Sequence, residues 1–505
     1  MISISSKDYP KEPVVIGNLS IKFMKQSRFV PLQMDEDTLR IAMADPLEFY
    51  TVDALKLASG LNIEVCQGRE EDIFEAIERL YGAGAQSIDT IIEEAGKDMS
   101  EMALEGEEDV DHLRDLASEA PIIRLVNRLI SNAVELRASD IHFEPYENEF
   151  KARYRIDGVL HDAESPPKRL QPAIISRVKI MAKLNIAERR LPQDGRIELR
   201  VSDKEMDFRI STIPTLFGES LVMRILDRST LILDLEKLGF PQDILSHYLN
   251  LISQPYGMIL VTGPTGSGKT STLYTTLDKI NSSEKKIITI EDPVEYQLTG
   301  VNQIQVKPKI GLTFANGLRS IVRQDPDIIL VGEIRDAETA GIAVQSALTG
   351  HLIFSTLHTN DAAGAITRLL EMGVENFLLT SSLLGVLAQR LVRVICAHCK
   401  EPREPEEKLM RSIGASPDEL RHITLFAGRG CEECRFTGYR GRTGIFEYLP
   451  VDDDIRAEIT KKSSTDVIKK GALKKGMMTL RQDGWRKVKE GITTISEVLR
   501  VTLEQ

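Results

Sequence analysis

From Met258 to Phe354 the chain returns again and again to short apolar runs, each followed by a polar or glycine-rich step. Unbroken apolar runs of this length fit strands buried on both faces, as in a parallel sheet. Met258–Val261, Ile287–Ile290, Ile328–Val331 and Leu352–Phe354 are the runs, with helical spacing between them. Residues 233 to about 390 therefore predict a doubly wound, mostly parallel α/β sheet. Upstream the period changes. Pro121 opens a helix whose Ile122, Leu125, Val126, Leu129, Ile130, Ala133 and Val134 share one stripe. Strict alternation over Phe150–Ile156, an Asp157-Gly158 turn, a helical stretch over 170–184 and strand-like pieces at 196–201, 206–213 and 220–227 follow. They predict an α+β domain over 120–232. Residues 1–82 predict a small α/β unit, with strands at 38–43 and 62–65 and helices at 52–59 and 72–81. Residues 441–505 predict helices that close the core domain.

Composition refines this picture at three points. Between Asp89 and Glu119 twelve acidic residues stand against two basic ones, so 83–119 predicts a flexible acidic linker. The length of 505 residues asks for about three domains, and the net charge of −12 argues against a general affinity for nucleic acid or anionic lipid. There is no apolar run of about 18 residues and no signal-peptide pattern, so a chain that neither crosses a membrane nor leaves by that route is expected. Of five cysteines, Cys66 reads as an inert apolar residue. The other four form two C-x-x-C pairs, which suit a reduced, intracellular, metal-binding chain.

The chemistry gathers at the ends of the apolar runs. After Val261 comes Gly263-Pro264-Thr265-Gly266-Ser267-Gly268-Lys269-Thr270, then Ser271 at the start of a helix. This is the strand, glycine-rich loop and helix of a P-loop nucleotide site, in which backbone N–H groups converge on phosphate. Lys269 would reach the outer phosphates and Thr270 a Mg²⁺ ion. Ile290 runs into Glu291-Asp292-Pro293-Val294-Glu295, Val331 into Gly332-Glu333, and Phe354 into Ser355-Thr356-Leu357-His358. Ligands of open α/β sheets bind at these carboxyl ends. Glu333 is placed to hold Mg²⁺ or its water, His358 to donate to the γ-phosphate, and Glu295 to position the attacking water. The spacing leaves open which of Glu291, Asp292 and Glu295 does the last. Arg319, Arg323 and Arg335 lie near this face. Arg196, Arg209 and Arg224, in the preceding domain, are candidates to reach phosphate across a boundary. His142 beside Asp140 reads as a structural pair. Cys396, Cys399, Cys431 and Cys434, with 31 residues between the pairs, predict one structural Zn²⁺; His398 is expected outside its ligands. Trp485 is expected to pack.

The run Arg323-Gln324-Asp325-Pro326-Asp327-Ile328-Ile329-Leu330-Val331-Gly332-Glu333-Ile334-Arg335-Asp336 resembles the signature of bacterial type II/IV secretion ATPases. Ile290–Glu295 resembles that family's "Asp box" and Thr349–Asp361 its "His box". The resemblance spans most of 120–445. It implies a RecA-like ATP-hydrolysing core, preceded by a PAS-like α+β domain and a small N-terminal docking domain, with a zinc insertion at 394–440. It implies a homo-hexamer on the cytoplasmic face of the inner membrane, with Arg209 and Arg224 touching nucleotide. The implied partners are a membrane receptor at the N-terminal domain and a membrane platform protein, with no nucleic acid. Length and domain order look most like the type II secretion assembly ATPase, which drives pseudopilus assembly and export. A type IV pilus extension ATPase is the alternative, and a nucleic-acid translocase a more distant one. The N-terminal second-messenger motif of some relatives is not found.

Overall fold

In the computed structural model, residues 9–10, 14, 21–35, 38–46, 48–81, 110–201, 204–227, 234–404, 413 and 423–502 are described. They divide into two compact units, Met1–Asp227 and Arg228–Gln505.

The first unit holds two sheets. Strands β1 (Phe29–Met34), β2 (Thr38–Met43) and β3 (Asn62–Gln67) form the smaller, in which β2 pairs antiparallel with β1 and parallel with β3. Helices Phe49–Ser59 and Glu70–Tyr81 accompany it, and Phe29, Leu39, Ile41, Leu55, Ile73 and Ile77 form its core. The second sheet is antiparallel throughout: β4 (Ala138–Pro145), β5 (Phe150–Ile156), β6 (Val159–Asp162), β7 (Gln193–Val201), β8 (Lys204–Thr215) and β9 (Gly218–Asp227), in the order β6-β5-β4-β9-β8-β7. Alternation sorts its faces. Ile141, Phe143, Phe208, Ile210, Leu221 and Met223 share a core with helices Ala120–Glu135 and Gln171–Met181, while the charged residues between them point the other way.

The predicted linker lies outside the described residues as far as 109. From Val110 it is corrected. Val110–Leu116 is a helix, and Leu113, Leu116 and Ala117 are buried, which outweighs the acidic composition of this stretch.

The second unit is built on a seven-stranded sheet of β10 (Gly257–Thr262), β11 (Ile287–Glu291), β12 (Val301–Gln305), β13 (Ile328–Val331), β14 (Leu352–Leu357), β15 (Leu383–Ile395) and β18 (Tyr439–Pro450). The order is β12-β11-β13-β14-β10-β15-β18, parallel except for the β15–β18 pair. The apolar runs are buried on both faces, as their composition requires. Leu260, Ile329 and Ile353 enter one cluster, and Ile259, Leu330 and Phe354 the other. Burial of one such side chain contributes roughly 1.5–3 kcal/mol. Helices Lys269–Ile280, Ala337–Leu348 and Ala362–Glu371 connect the strands. The expectation of helices from 441 onward is corrected in its first part, because β18 supplies the antiparallel edge before helices begin at Asp453. Trp485 is buried in the core, as expected. Among the described residues no helix is long and apolar enough to cross a membrane.

Candidate functional site

β10 delivers the chain into the glycine loop, and the loop's shape depends on its glycines. Gly268 has φ +88° and caps the helix that starts at Lys269. A Cβ there would lie 2.7 Å from Gln389 Nε2, and one on Gly263 2.5 Å from the Gln389 carbonyl oxygen. Gln389, on β15, also accepts a bond of 2.7 Å from the Thr272 hydroxyl, so it braces the loop and its helix together. Sequence reasoning missed it, because nothing marks a glutamine inside an apolar strand as special. Pro264, Thr265, Gly266 and Thr270 are exposed, and Ser271 is half-buried. The Ser267 hydroxyl is buried and has no hydrogen-bond partner among the described residues. An orphaned buried donor in a glycine-rich loop at a helix N-terminus fits a cradle for phosphate.

Lys269 is buried and donates to the carbonyls of Gly263 and Pro264, at 2.7 and 3.0 Å. Burial pulls its pKa down to about 8; Glu333 works against that shift and Arg390 with it. Glu333 is thus an electrostatic neighbour of the lysine. It stands two residues beyond the end of β13, largely buried, where it is bonded to His358 Nε2 at 3.2 Å and paired with Arg335. The strand ends that carry Glu333 and His358 are stitched by Thr356 Oγ1 donating to the Gly332 carbonyl at 2.7 Å and the Ile334 N–H donating to Thr356 O at 3.0 Å. Lys269, Glu333 and His358 thus converge from three different strand ends.

The acidic segment after β11 divides by burial. Glu291 is 4% exposed, Asp292 is exposed and Glu295 is half-buried. Both oxygens of Glu291 accept bonds from neighbouring side chains, Oε2 from Tyr274 and Oε1 from Thr289 and Gln303. The Asp292–Pro293 peptide is cis. Arg319 pairs with Glu338 at 2.5 Å, and Arg323 donates to the Arg319 carbonyl. Neither contacts the carboxylates at the strand ends in the bonds described.

In the other unit, Arg196, Arg209, Arg224, Asp140 and Arg155 stand directly opposite one another across five strands of the antiparallel sheet, and so share its polar face. Asp140 accepts from Arg224 Nε at 3.2 Å and from Ser139 Oγ at 2.8 Å; Arg196 Nε pairs with Asp207 at 2.7 Å. His142 lies 3.7 Å from Glu144, and the described bonds of Asp140 go to Ser139 and Arg224 rather than to the histidine expected beside it.

The four cysteines meet at the tip of the β15–β18 hairpin, flanked by the small hairpin of β16 (Lys400–Arg403) and β17 (Leu425–Gly428). All four Sγ atoms lie within 4.8 Å of one another, with 3.9 Å for Cys396–Cys431 and 3.7 Å for both Cys399–Cys434 and Cys431–Cys434. A tetrahedron of sulfurs about 2.3 Å from a central zinc has edges of about 3.8 Å, so the donor set fits one such ion. The N–H groups of Cys431 and Gly438 each reach Cys434 Sγ at 3.2 Å. His398 is exposed and outside the cluster, as expected.

Residues 115–500 match the type II/IV secretion system protein family, and residues 2–87 match the MshEN domain. "Type II secretion system protein E" of Xanthomonas campestris pv. campestris is 54% identical over 98% of this chain and 87% of its own length. "Type IV pilus assembly ATPase PilB" of Myxococcus xanthus is 48% identical over 98% of this chain and 88% of its own length. Among solved structures, the Legionella pneumophila ATPase DotB superposes with a TM-score of 0.55 at 21% identity, covering 75% of this chain and 95% of that one, which speaks for the fold. The chain belongs to the type II/IV secretion system protein family and is a P-loop ATPase of it, most like type II secretion system protein E.

Proposed function

We propose that this ATPase works as a hexamer at the inner membrane and drives pseudopilus assembly for protein export by a type II secretion system. The observation that carries the reading is the convergence of Lys269, Glu333 and His358 beside a glycine loop with an unpartnered buried hydroxyl. The family implies bound nucleotide and Mg²⁺. Gly263–Ser271 would hold the phosphates, with Lys269 turning from the loop carbonyls to the outer ones. Thr270 and Glu333 would take the Mg²⁺, which supplies charge neutralisation for phosphoryl transfer. Glu295 orients the attacking water, and His358, held by Glu333, senses the γ-phosphate. Arg209 and Arg224 would approach the nucleotide of a neighbouring subunit, since their shared polar face offers planar cations already spaced by the sheet.

The four cysteines hold one structural zinc and leave no ligand position for water. The N-terminal domain docks on a membrane receptor, and the core acts on a membrane platform protein. Type IV pilus assembly is the second reading, favoured by the PilB relative at 48% identity. A host lacking its own type E ATPase separates the two. This chain is expected to restore secretion of exoproteins and Lys269→Ala to abolish it; restored piliation without secretion would favour the second reading.

A further inference from the structure

Tyr274 lies on the helix that begins at Lys269 and is fully buried. Its hydroxyl donates to Glu291 Oε2 and accepts from the N–H of Glu295 at 3.3 Å. The other Glu291 oxygen accepts from Thr289 Oγ1 at 2.6 Å and Gln303 Nε2 at 3.2 Å. Gln303 also donates to the Tyr296 carbonyl at 2.9 Å and accepts from the Leu298 N–H at 2.8 Å. The segment that carries Glu295 is thus clamped at its entry by Glu291, at its exit by Gln303, and in its middle by one phenol. The rings of Tyr274 and Tyr296 meet edge to face at 6.3 Å.

Three side-chain donors, from Tyr274, Thr289 and Gln303, are spent on the two oxygens of Glu291, so its carboxylate is tied into the protein. Burial raises the pKa of Tyr274, so the phenol keeps its proton and can donate to Glu291. The helix that bears Tyr274 is the one whose first turn grips phosphate. A hydroxyl on that helix, bonded to the backbone of Glu295, fixes the distance between the two working parts of the site. Sub-ångström placement of this kind is worth large factors in rate.

We propose that Tyr274, oriented by Glu291, is a positioning residue for ATP hydrolysis: it ties the Glu295 backbone to the phosphate-gripping helix, so that nucleotide and water-orienting carboxylate are held in register. The proposal rests on the reading of Glu295 as the water-orienting group.

The test is steady-state Mg-ATP hydrolysis by the full-length chain, with light scattering to confirm equal assembly and thermal unfolding to confirm equal folding. Tyr274→Phe keeps the ring and removes only the hydroxyl. Its kcat should fall about tenfold or more, with KM for ATP and the affinity for a fluorescent ADP analogue within about twofold of the parent. Glu291→Gln, which keeps an acceptor for the phenol, should retain more turnover than Tyr274→Phe. An unchanged kcat in Tyr274→Phe would overturn the proposal, as would a rise in KM with kcat intact. A loss in Glu291→Gln as deep as that of Glu295→Gln would also overturn it, by placing Glu291 at the reacting atoms. A Glu295→Gln chain with full turnover would instead defeat the underlying reading.

Discussion

Strand β10 carries the glycine loop between two large apolar clusters, whereas at the tip between β15 and β18 the four cysteines form, among the described residues, a small cluster of their own. Met258 and Leu260 anchor β10 on one side and Ile259 and Val261 on the other, all fully buried. At the tip, Cys396, Cys399 and Cys434 cluster, among the described residues, with Cys431 alone. Both regions must hold polar atoms at fixed spacing, and they do so by different means. In the core, burial of strands sets the strand ends, and the side chains beyond them inherit that rigidity. At the tip, the ligand set must hold itself together, which is the usual reason for a structural metal in a small excursion.

The contrast can be broken first at the core's acidic centre. Glu333 pairs with His358 and Arg335 and acts electrostatically on Lys269, without contributing to the apolar clusters. Glu333→Gln should therefore fold normally and keep ATP bound, while turnover in a phosphate-release assay falls by about 100-fold or more. A smaller effect sharpens the same point. Lys269 is held down to about 8 by burial. Phosphate beside it favours the charged form, so binding must take up protons where the free lysine is partly neutral. Calorimetry in buffers of different ionisation enthalpy should show uptake of about half a proton per site at pH 8, fading toward pH 6.5.

How far the chain could be read from its residues follows the same division. The strands β10, β11, β13 and β14 were legible because burial on both faces demands unbroken apolar runs. Strand β12 (Val301-Asn302-Gln303-Ile304-Gln305) and the polar half of β18 were not, because sheet edges tolerate mixed sequences. The helix at 110–116 was hidden by acidic neighbours that outnumber its two buried leucines, Leu113 and Leu116. Within the site, spacing placed Lys269, Glu333 and His358 at strand ends, and the fold brings them together. Spacing could not separate Glu291 from Glu295, since four residues along a loop say nothing of which side chain turns inward. Tyr274 and Gln389 gave no signal at all, as both sit in helix or strand positions that read as ordinary packing.

The most direct test of this division is amide hydrogen exchange on the full-length chain before and after treatment with a strong zinc chelator. Protection should collapse across the described parts of the tip, Cys396–Arg403 and Leu425–Gly438, while strands β10, β11, β13 and β14 keep theirs, with about one zinc released per chain. Loss of protection in the parallel strands together with the tip, or no loss anywhere despite metal release, would contradict it.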